Sequence, residues 1–524
     1  MRFGGLTMTT QAHNIVLTGF MASGKSRIGE MLAEILGYQL YDLDLIIEQE
    51  QKNTIKNIFS THGELYFRAL ELALIKKLKN TTNSVIVSGG GAPTFFDSAQ
   101  ALASLGQVFY LDANFALIIK RLTSSNKRPL GSLASAAELE KLKQLYVFRR
   151  PLYCGLGSVI DVNHEDKKRT CDDIIKRFNA YNYLANIHTI RVHDINRPYK
   201  IYIGSNISDK ISKIITLLGF DNYRIIVISN NNLANIFQEF ITKIGADLII
   251  IPEGEEHKNQ ASIDLIHERL LNLGCTRSTL IIALGGGNVG DVAGFAAATF
   301  MRGLPLIQVP TSLLAMVDSS VGGKTGIDTC FGKNLVGSFH NPQAVIIDLN
   351  CLASLPEEEC AAGMAEIIKH AIIADPDLFY DLLNKKLEPH NLVSRAIKVK
   401  VDLVFADPQE KNIRAHLNLG HTFAHALEKV SHYQIRHGYA VAIGLMLAAN
   451  LAHQQGLLQQ DFRPELLSLL KHYNLPHELP KNINKTELIA AMQHDKKRDS
   501  HGLKFILPIK LGIVEAFTVP ITNL

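Results

Sequence analysis

Cysteine is scarce in this chain. Among 524 residues there are six (Cys154, Cys171, Cys275, Cys330, Cys351 and Cys360), and no two of them make a CxxC pair. That pattern excludes a disulfide framework and a thiolate zinc site, and it points to a reducing cytoplasm. No apolar run is long enough to cross a bilayer. The stretch AVAIGLMLAANLA falls short of that length and predicts a buried helix. No run of Lys or Arg accompanies the net charge of +4, so neither nucleic acid nor a membrane is an expected partner. A mild positive bias instead suits small anionic, phosphorylated substrates. The leading residues carry no secretory signature, and Met8 offers a second candidate start. Internal repeats and low-complexity tracts are lacking too. What remains is an ordinary globular composition, 47% apolar and 20% charged, able to bury large cores in roughly two to four domains.

The first third carries a phosphate-binding motif in its required setting. From Asn14 the chain reads NIVLTGFMASGKSRIGEMLAEILG. An apolar strand (Ile15 to Leu17) runs into GFMASGKS, Gly19 to Ser26, and then into an amphipathic helix, which matches GxxxxGK[ST]. Backbone amides from Ala22, Ser23 and Gly24 through Lys25, Ser26 and Arg27 would cradle nucleotide phosphates. The Lys25 ammonium would reach the outer phosphates, and the Ser26 hydroxyl would ligate Mg²⁺. YDLDLIIE places Asp42 and Asp44 two apart at the end of a second predicted strand, on one side of it. One carboxylate could serve the metal's water shell and the other an acceptor hydroxyl, or both could be solvated strand-end acids. Arg68 follows in GELYFRAL. VIVSGGGAP ends a strand in Gly89, Gly90 and Gly91, which permit close backbone approach or a tight turn. Arg128 sits in NKRPL ahead of a small-residue lid, GSLASAA, and Arg149 and Arg150 precede PLY. Cations there suit phosphate or carboxylate in fork geometry, or are plain surface arginines.

In this order GFMASGKS, DLD, FRAL, GGGA, KRPL and RRPLY resemble the shikimate kinase family, across roughly residues 12–175. The resemblance implies ATP with Mg²⁺ and shikimate as substrates. Asp44, Arg68, Gly90 and Arg149 would bind shikimate, with Arg68 and Arg149 on its carboxylate and Asp44 at its 3-hydroxyl. Lys25, Ser26 and Arg128 would handle ATP, and Ser26 with Asp42 the Mg²⁺. Ala22 departs from the family in standing where a glycine is usual, as does Arg27 where a threonine is.

The closing helix of this part reads DKKRTCDDIIKRF, and HTIRVHDINRPYKIYIG then predicts a β-hairpin around Asn196–Pro198. YRIIVISNNNLANIF and GADLIIIPEGEEHKN each read as a strand followed by a polar turn. STLIIALGGGNVGDVAGFAAATFMRG gives an apolar strand, three glycines (Gly285 to Gly287) and a helix, a nucleotide-binding arrangement with glycines at a helix N-terminus. LPLIQVPTSLLAMVDSSVGGKTGID and FGKNLVG read as a further strand and polar loops whose Lys324 and Lys333 invite anions. Near the end, NLGHTFAHALEKVSHYQIRHG gathers His421, His425 and His437, with His432 nearby. His421 and His425, four apart, share a helix face and could bind a transition metal, with His437 supplying another nitrogen. Glu366 in AEIIKH is the candidate carboxylate, on the same helical face as Lys369. Two or three histidines with one glutamate make a catalytic-zinc ligand set.

PEGEEHK, LGGGNVGDVAGFAAATFMRG, QVPTSLLAMVDSSVGGKTGID, GKN, AEIIKH, NLGHTFAHA, RHG and DKK together resemble the 3-dehydroquinate synthase family, over about residues 188–520. The resemblance implies cyclisation of 3-deoxy-D-arabino-heptulosonate 7-phosphate with NAD⁺ and one zinc or cobalt ion, and no net redox change. Its metal ligands would be Glu366, His421 and His437, with His425 a proton-transfer residue and not a ligand. NAD⁺ would be held by Asn230, by Glu253, Gly254, Glu255, Glu256, His257 and Lys258, by Gly287, Asn288, Val289, Gly290 and Asp291, by Thr311 and Ser312, by Lys324 and Lys333, and by Cys351, Leu352, Ala353 and Ser354. Substrate would meet Asp318, Lys324, Asn334, Lys369, Lys400, Arg414, Asn418 and Lys496 or Lys497. Arg302 would reach a neighbouring subunit's phosphate site, implying a homodimer. Asn288 stands where an apolar residue is usual.

The expected fold is α/β throughout: a P-loop kinase domain with a parallel sheet between helices (12–178), a Rossmann-like NAD-binding domain (188–350), and a mainly α-helical metal and substrate domain (351–524). The expected function is bifunctional, a kinase joined to a cyclase. The alternatives are a cyclase fused to a non-catalytic nucleotide-binding module, a cyclase acting on another sugar phosphate, and a net dehydrogenase.

Overall fold

The computed structural model describes residues 14–124, 136–192, 194, 198–384, 387–408, 410, 412–493, 498–499 and 502–521. The chain divides into two compact units. One is built on the stretch up to Ile187; the other takes His188–Val192, Tyr199–Asp209 and everything from Tyr223 onward.

The first unit is organised on five strands, β1 (Ile15–Thr18), β2 (Gln39–Asp42), β3 (Ser84–Val87), β4 (Gln107–Asp112) and β5 (Ser158–Asp161). They form one parallel sheet in the order β2-β3-β1-β4-β5. β1 and β3 are buried along their whole lengths, which is why IVLT and SVIV carry continuous apolar stretches instead of an alternating pattern. Register pairs Leu17 with Val87 and Asp42 with Val87, so the carboxyl ends of β1, β2 and β3 finish level. The loop after β1, the acids after β2 and the glycines after β3 therefore meet at one edge, where open α/β sheets bind ligands.

In the second unit a seven-stranded sheet runs β6-β7-β14-β11-β10-β8-β9. Its strands are β6 (His188–Val192), β7 (Tyr199–Gly204), β8 (Arg224–Ser229), β9 (Asp247–Ile250), β10 (Thr279–Gly285), β11 (Leu306–Pro310) and β14 (Ala344–Asp348). β6 is antiparallel to β7, as the hairpin signature predicts, and every other pairing is parallel. Between β11 and β14 the chain makes a π-helical turn, Ala315–Ser319, and an antiparallel pair, β12 (Lys324–Thr329) and β13 (Gly332–Phe339). GKNLVG, expected as a polar loop, is thus strand. The crossing glycines Gly326 and Gly337 face each other in that pair, where a Cβ on Gly337 would lie 2.1 Å from the Thr325 carbonyl oxygen.

After β14 come helices Glu357–Ala374, Pro376–Leu383, Pro389–Ala406, His421–Val430, His437–Gln454, Arg463–His472 and Lys485–Gln493. The chain then adds an antiparallel sheet, β15 (Arg498–Asp499), β16 (Gly502–Lys510) and β17 (Ile513–Val519). Helix Glu357–Ala374 is buried from Ala361 to Ile373, polar residues included, so it runs through the core. One apolar cluster takes in Ile201 and Val345 of the sheet, Ile368 and Leu427 of the helices, and Val514 of the last strand. The stretch AVAIGLMLAANLA lies in helix His437–Gln454, as expected. No helix among the described residues is long and apolar enough to cross a membrane.

Candidate active sites

In the first unit the loop from Gly19 to Ser26 closes on itself. Lys25 Nζ donates to the carbonyls of Gly19 (2.9 Å) and Phe20 (3.1 Å), and Ser26 Oγ donates to Asp42 Oδ2 at 2.7 Å. Ala22, at the position where a glycine was expected, takes φ 59° and carries left-handed strain on the order of 1 kcal/mol. Arg121 Nη1 ties the loop down from outside through the carbonyls of Ala22 (3.2 Å) and Ser23 (2.9 Å).

Beside the loop lies a carboxylate and guanidinium group. Arg68 pairs with the fully buried Glu71 at 2.7 Å and with Glu64 at 3.0 Å, and its guanidinium lies 5.1 Å from the Phe67 and Phe95 ring centroids. Burial pushes the Glu71 carboxyl up, against the pull of Arg68. A Cβ on Gly89 would lie 2.6 Å from Glu71 Oε1 and 2.7 Å from Asp44 Oδ1, so only glycine lets both acids crowd this backbone. The Gly90 carbonyl accepts from Arg149 Nη1 at 3.3 Å and from the Tyr153 hydroxyl. Asp44, Arg68, Gly90 and Arg149 are thereby gathered at one edge of the sheet. One detail differs from the expected pairing on a strand. β2 ends at Asp42, which caps helix Leu43–Gln51, and Asp44 lies in that helix's first turn. Asp42 faces Ser26 while Asp44 faces Gly89, so the two acids are separated by helix geometry rather than aligned by a strand. Arg27 pairs with Glu30 on the surface, and Arg150 pairs with Asp112. Arg128 lies outside the described residues.

The second unit brings its turns to the carboxyl edge of the large sheet. Asn230 caps the helix after β8 through Leu233 N at 2.9 Å, and Glu253 accepts from Asn232 N at 3.3 Å. Asn288 Nδ2 donates to the Gly254 carbonyl at 2.6 Å, joining the GGG turn to the PEGEEHK turn. Lys258 Nζ donates to Asp291 Oδ2 (2.7 Å) and Asn334 Oδ1 (2.6 Å). Gly287, Asn288, Val289, Gly290 and Asp291 form the first turn and a half of helix Gly287–Thr299, with Thr311 N bonded to the Gly285 carbonyl and Ser312 beside Gly286. Cys351 to Ser354 belong to a 3₁₀ turn after β14 in which the Cys351 side chain is buried, and burial pushes its thiol up to about 12. Arg302 is exposed in a left-handed turn (φ 68°) past the far end of helix Gly287–Thr299, roughly 20 Å of helix from Gly287.

A dense ionic group fills the space between the π-helical turn and the helices. Lys400 Nζ donates to Asp318 Oδ1 and to the Asp318 carbonyl, both at 2.6 Å. Burial alone would raise the Asp318 carboxyl, yet Lys400 and Lys369 hold it well below the usual carboxylate range. Arg414 is buried and donates to the carbonyls of Pro408 (2.7 Å) and Gly322 (3.2 Å). Glu410 receives Lys324 on one oxygen and Asn418 Nδ2, at 2.9 Å, on the other.

At the centre stands Glu366, fully buried, with Lys369 against Oε2. His437 Nε2 lies 3.5 Å and His421 Nε2 3.7 Å from Oε1. Ligand atoms of Glu366, His421 and His437 all lie within 4.8 Å of one another. Both histidines are the first residues of their helices, so their rings are placed by rigid backbone. His421 Nδ1 faces the Leu419 carbonyl at 3.2 Å and must be the donor there, which leaves Nε2 with its lone pair toward Glu366. Burial opposes a proton on His437, but the Glu366 and Glu428 carboxylates facing its two nitrogens outweigh that and raise it to about 10. His425 is exposed, with its ring 5.4 Å from that of His421 and 6.4 Å from that of His437.

His432 is left on an exposed turn, and Lys496 and Lys497 lie outside the described residues. Five side chains were not foreseen. Glu71 and His370 carried a findable signal, sitting three residues after Arg68 and four after Glu366 on shared helix faces. Glu428 carried none, since its partners Lys333 and His437 come from other elements. Glu410 and Arg121 carried none, because their partners are brought to them by the fold.

Three family models match the chain. One described as shikimate kinase matches residues 21–179, and those for 3-dehydroquinate synthase, N-terminal and C-terminal, match 248–362 and 363–498. The 3-dehydroquinate synthase of Prochlorococcus marinus (strain NATL1A) is 41% identical over 349 residues, covering 63% of this chain and 94% of that protein. That of Coxiella burnetii (strain CbuK_Q154) is 44% identical over 337 residues, covering 62% and 93%. A solved 2-deoxy-scyllo-inosose synthase, complexed with carbaglucose-6-phosphate, NAD+ and Co2+, is 28% identical with a TM-score of 0.58, covering 64% of this chain and 98% of that one. The chain belongs to the 3-dehydroquinate synthase family and, over its first third, to the shikimate kinase family: it is a bifunctional enzyme that phosphorylates shikimate with ATP and cyclises 3-deoxy-D-arabino-heptulosonate 7-phosphate to 3-dehydroquinate with release of phosphate.

Proposed function

We propose that each activity is carried by the residues gathered above. The domains are 12–178, 188–350 and 351–524, in a cytoplasmic homodimer. In the kinase, Lys25 leaves the Gly19 and Phe20 carbonyls to meet the outer phosphates of ATP. Ser26 and Asp42 hold Mg²⁺, with Arg128 a further ATP contact. Arg68, anchored by Glu71, and Arg149, anchored on Gly90, take the shikimate carboxylate, while Asp44 accepts the proton of its 3-hydroxyl.

In the synthase, Glu366, His421 and His437 would hold one zinc or cobalt ion. The observation that carries this is the Glu366 carboxylate: it is fully buried, neither oxygen has a hydrogen bond of normal geometry, and two imidazole nitrogens converge on one of them. A carboxylate and two imidazoles suit a borderline divalent cation with an open position. NAD⁺ would lie along the carboxyl edge of the sheet, on Asn230, the Glu253–Lys258 turn, the Gly287–Asp291 turn, Thr311, Ser312, Lys324, Lys333 and the Cys351–Ser354 turn. When bound, the cation and the dinucleotide supply a Lewis acid and a reversible hydride acceptor. The chain's own residues do the rest. Lys369, Lys400, Arg414, Asn334, Asn418 and Lys496 or Lys497 bind an anionic substrate, Asp318 orients Lys400, and exposed His425 moves protons. Arg302, set at the outer end of its helix, would serve the partner's phosphate site.

Separate incubations test the reading. ATP with shikimate should give ADP, and Lys25→Met should abolish it. Heptulosonate 7-phosphate with NAD⁺ and Zn²⁺ should release phosphate without NADH accumulation. Stoichiometric NADH would instead mark a dehydrogenase. Turnover only with a different sugar phosphate would place the second unit's substrate with that of the 2-deoxy-scyllo-inosose synthase relative.

A further inference from the structure

Glu428 is assigned to neither the cofactor set nor the metal set, yet it touches both. It lies on helix His421–Val430 with its side chain 3% exposed, a buried carboxylate that needs partners. Oε1 stands 3.4 Å from His437 Nδ1 and 3.1 Å from Lys333 Nζ. Lys333, on β13, is also 3.3 Å from Glu255 Oε1 in the PEGEEHK turn, and its ammonium sits 4.9 Å from the Tyr433 ring centroid. The other nitrogen of His437 faces Glu366. Side chains therefore run without a gap from Glu255 through Lys333, Glu428 and His437 to Glu366, crossing from the cofactor turn to the buried carboxylate.

Each link constrains the next. A histidine that ligates through Nε2 needs its Nδ1 proton held by an acceptor, and Glu428 is that acceptor. The same oxygen shares the ammonium of Lys333 with Glu255 of the cofactor turn. Whatever draws Lys333 toward a bound dinucleotide thus acts on the carboxylate that orients His437, and the reverse holds by linkage.

We propose that Glu428 is a positioning residue through which the dinucleotide and the divalent cation bind with positive coupling, each tightening the other by way of the Lys333–Glu428–His437 contacts. The inference rests on the cofactor and metal assignments above.

The test is equilibrium binding on the full chain without substrate. NAD⁺ affinity is measured by calorimetry on chelator-stripped protein and again with saturating Zn²⁺, and Zn²⁺ affinity is measured with and without NAD⁺. The wild-type chain should bind NAD⁺ about tenfold tighter when Zn²⁺ is present, within the usual range of such couplings. In Glu428→Gln that factor should fall to within about twofold of unity, with Zn²⁺ affinity itself lowered about tenfold. Lys333→Met should bring the same coupling to within about twofold of unity and Lys333→Arg should restore it, a recovery that mere misfolding would not give. Unchanged coupling in Glu428→Gln or Lys333→Met, with both ligands still bound, overturns the role of Glu428 alone. A wild-type chain that binds neither ligand overturns it together with the site assignment.

Discussion

Replacing one glycine should disable the synthase and spare the kinase. Helices Glu357–Ala374 and His437–Gln454 approach so closely at Gly438 that a Cβ there would lie 2.2 Å from the Ala362 carbonyl oxygen, 2.4 Å from its Cα and 2.6 Å from its carbonyl carbon. Ordinary contact begins near 3.4 Å, and the obstacle is backbone, so no rotamer change relieves it. Gly438→Ala therefore requires the helices to part by on the order of 1 Å, an overpacking cost of about 1–3 kcal/mol. His437 is the neighbouring residue and moves with the helix, away from a Glu366 oxygen now 3.5 Å from its Nε2. A displacement of that size in a catalytic constellation costs roughly 100-fold in rate. Phosphate release from the heptulosonate should fall by about that factor and Zn²⁺ affinity should drop. ADP formation with shikimate, measured on the same sample, should stay unchanged and so controls for protein quality. Retention of full phosphate release, Zn²⁺ affinity and thermal stability in Gly438→Ala would refute the close-packing argument.

Four further outcomes are expected. Burial, aided by Lys369, holds His370 down to about 3, while the unfolded chain takes up its proton near 6.5. The unfolded state thus binds the extra proton between those values, and stability present above pH 6.5 is lost as pH falls, by about 2 kcal/mol at pH 5. His370→Gln should remove that part of the pH dependence of the synthase unfolding transition, and an identical pH profile would refute it. Glu71→Gln weakens the anchor of Arg68, so KM for shikimate should rise about tenfold with KM for ATP unchanged, as steady-state kinetics would show. Asn288→Val loses the 2.6 Å bond to Gly254, worth about 1 kcal/mol, so calorimetry should find NAD⁺ bound roughly fivefold more weakly. Arg302→Ala should lower phosphate release, and mixing it with a Lys400→Ala chain should restore part of the activity if one protomer's Arg302 serves the other's site; no restoration would argue against that sharing.

The phosphate loop, the glycine turns and the histidine cluster were legible in the sequence because each is local: strand, turn and helix start lie within a few residues. Even there, spacing misled at Asp44, where a period-two reading put both acids on a strand although the helix begins between them at Leu43. FGKNLVG read as loop because its glycines and polar residues hide a strand whose partner, β12, supplies the pairing. Spacing also favoured His421 with His425, whereas the fold turns His425 to solvent and brings in His437 across two helix N-termini. Glu410 and Glu428 were invisible for a deeper reason. Their roles rest on Lys324 and Lys333, some 86 and 95 residues away, and no local pattern marks an acid that will meet a distant lysine.

The central claim is a single divalent cation gripped by Glu366, His421 and His437 beside the dinucleotide. Titrating Zn²⁺ or Co²⁺ into the chelator-stripped chain, while following bound metal and phosphate release together, tests it most directly. One ion per chain should bind and restore phosphate release in step, and Glu366→Gln, His421→Ala and His437→Ala should each abolish both. Phosphate release at full rate without bound metal, or metal binding unaffected by all three changes, would contradict it.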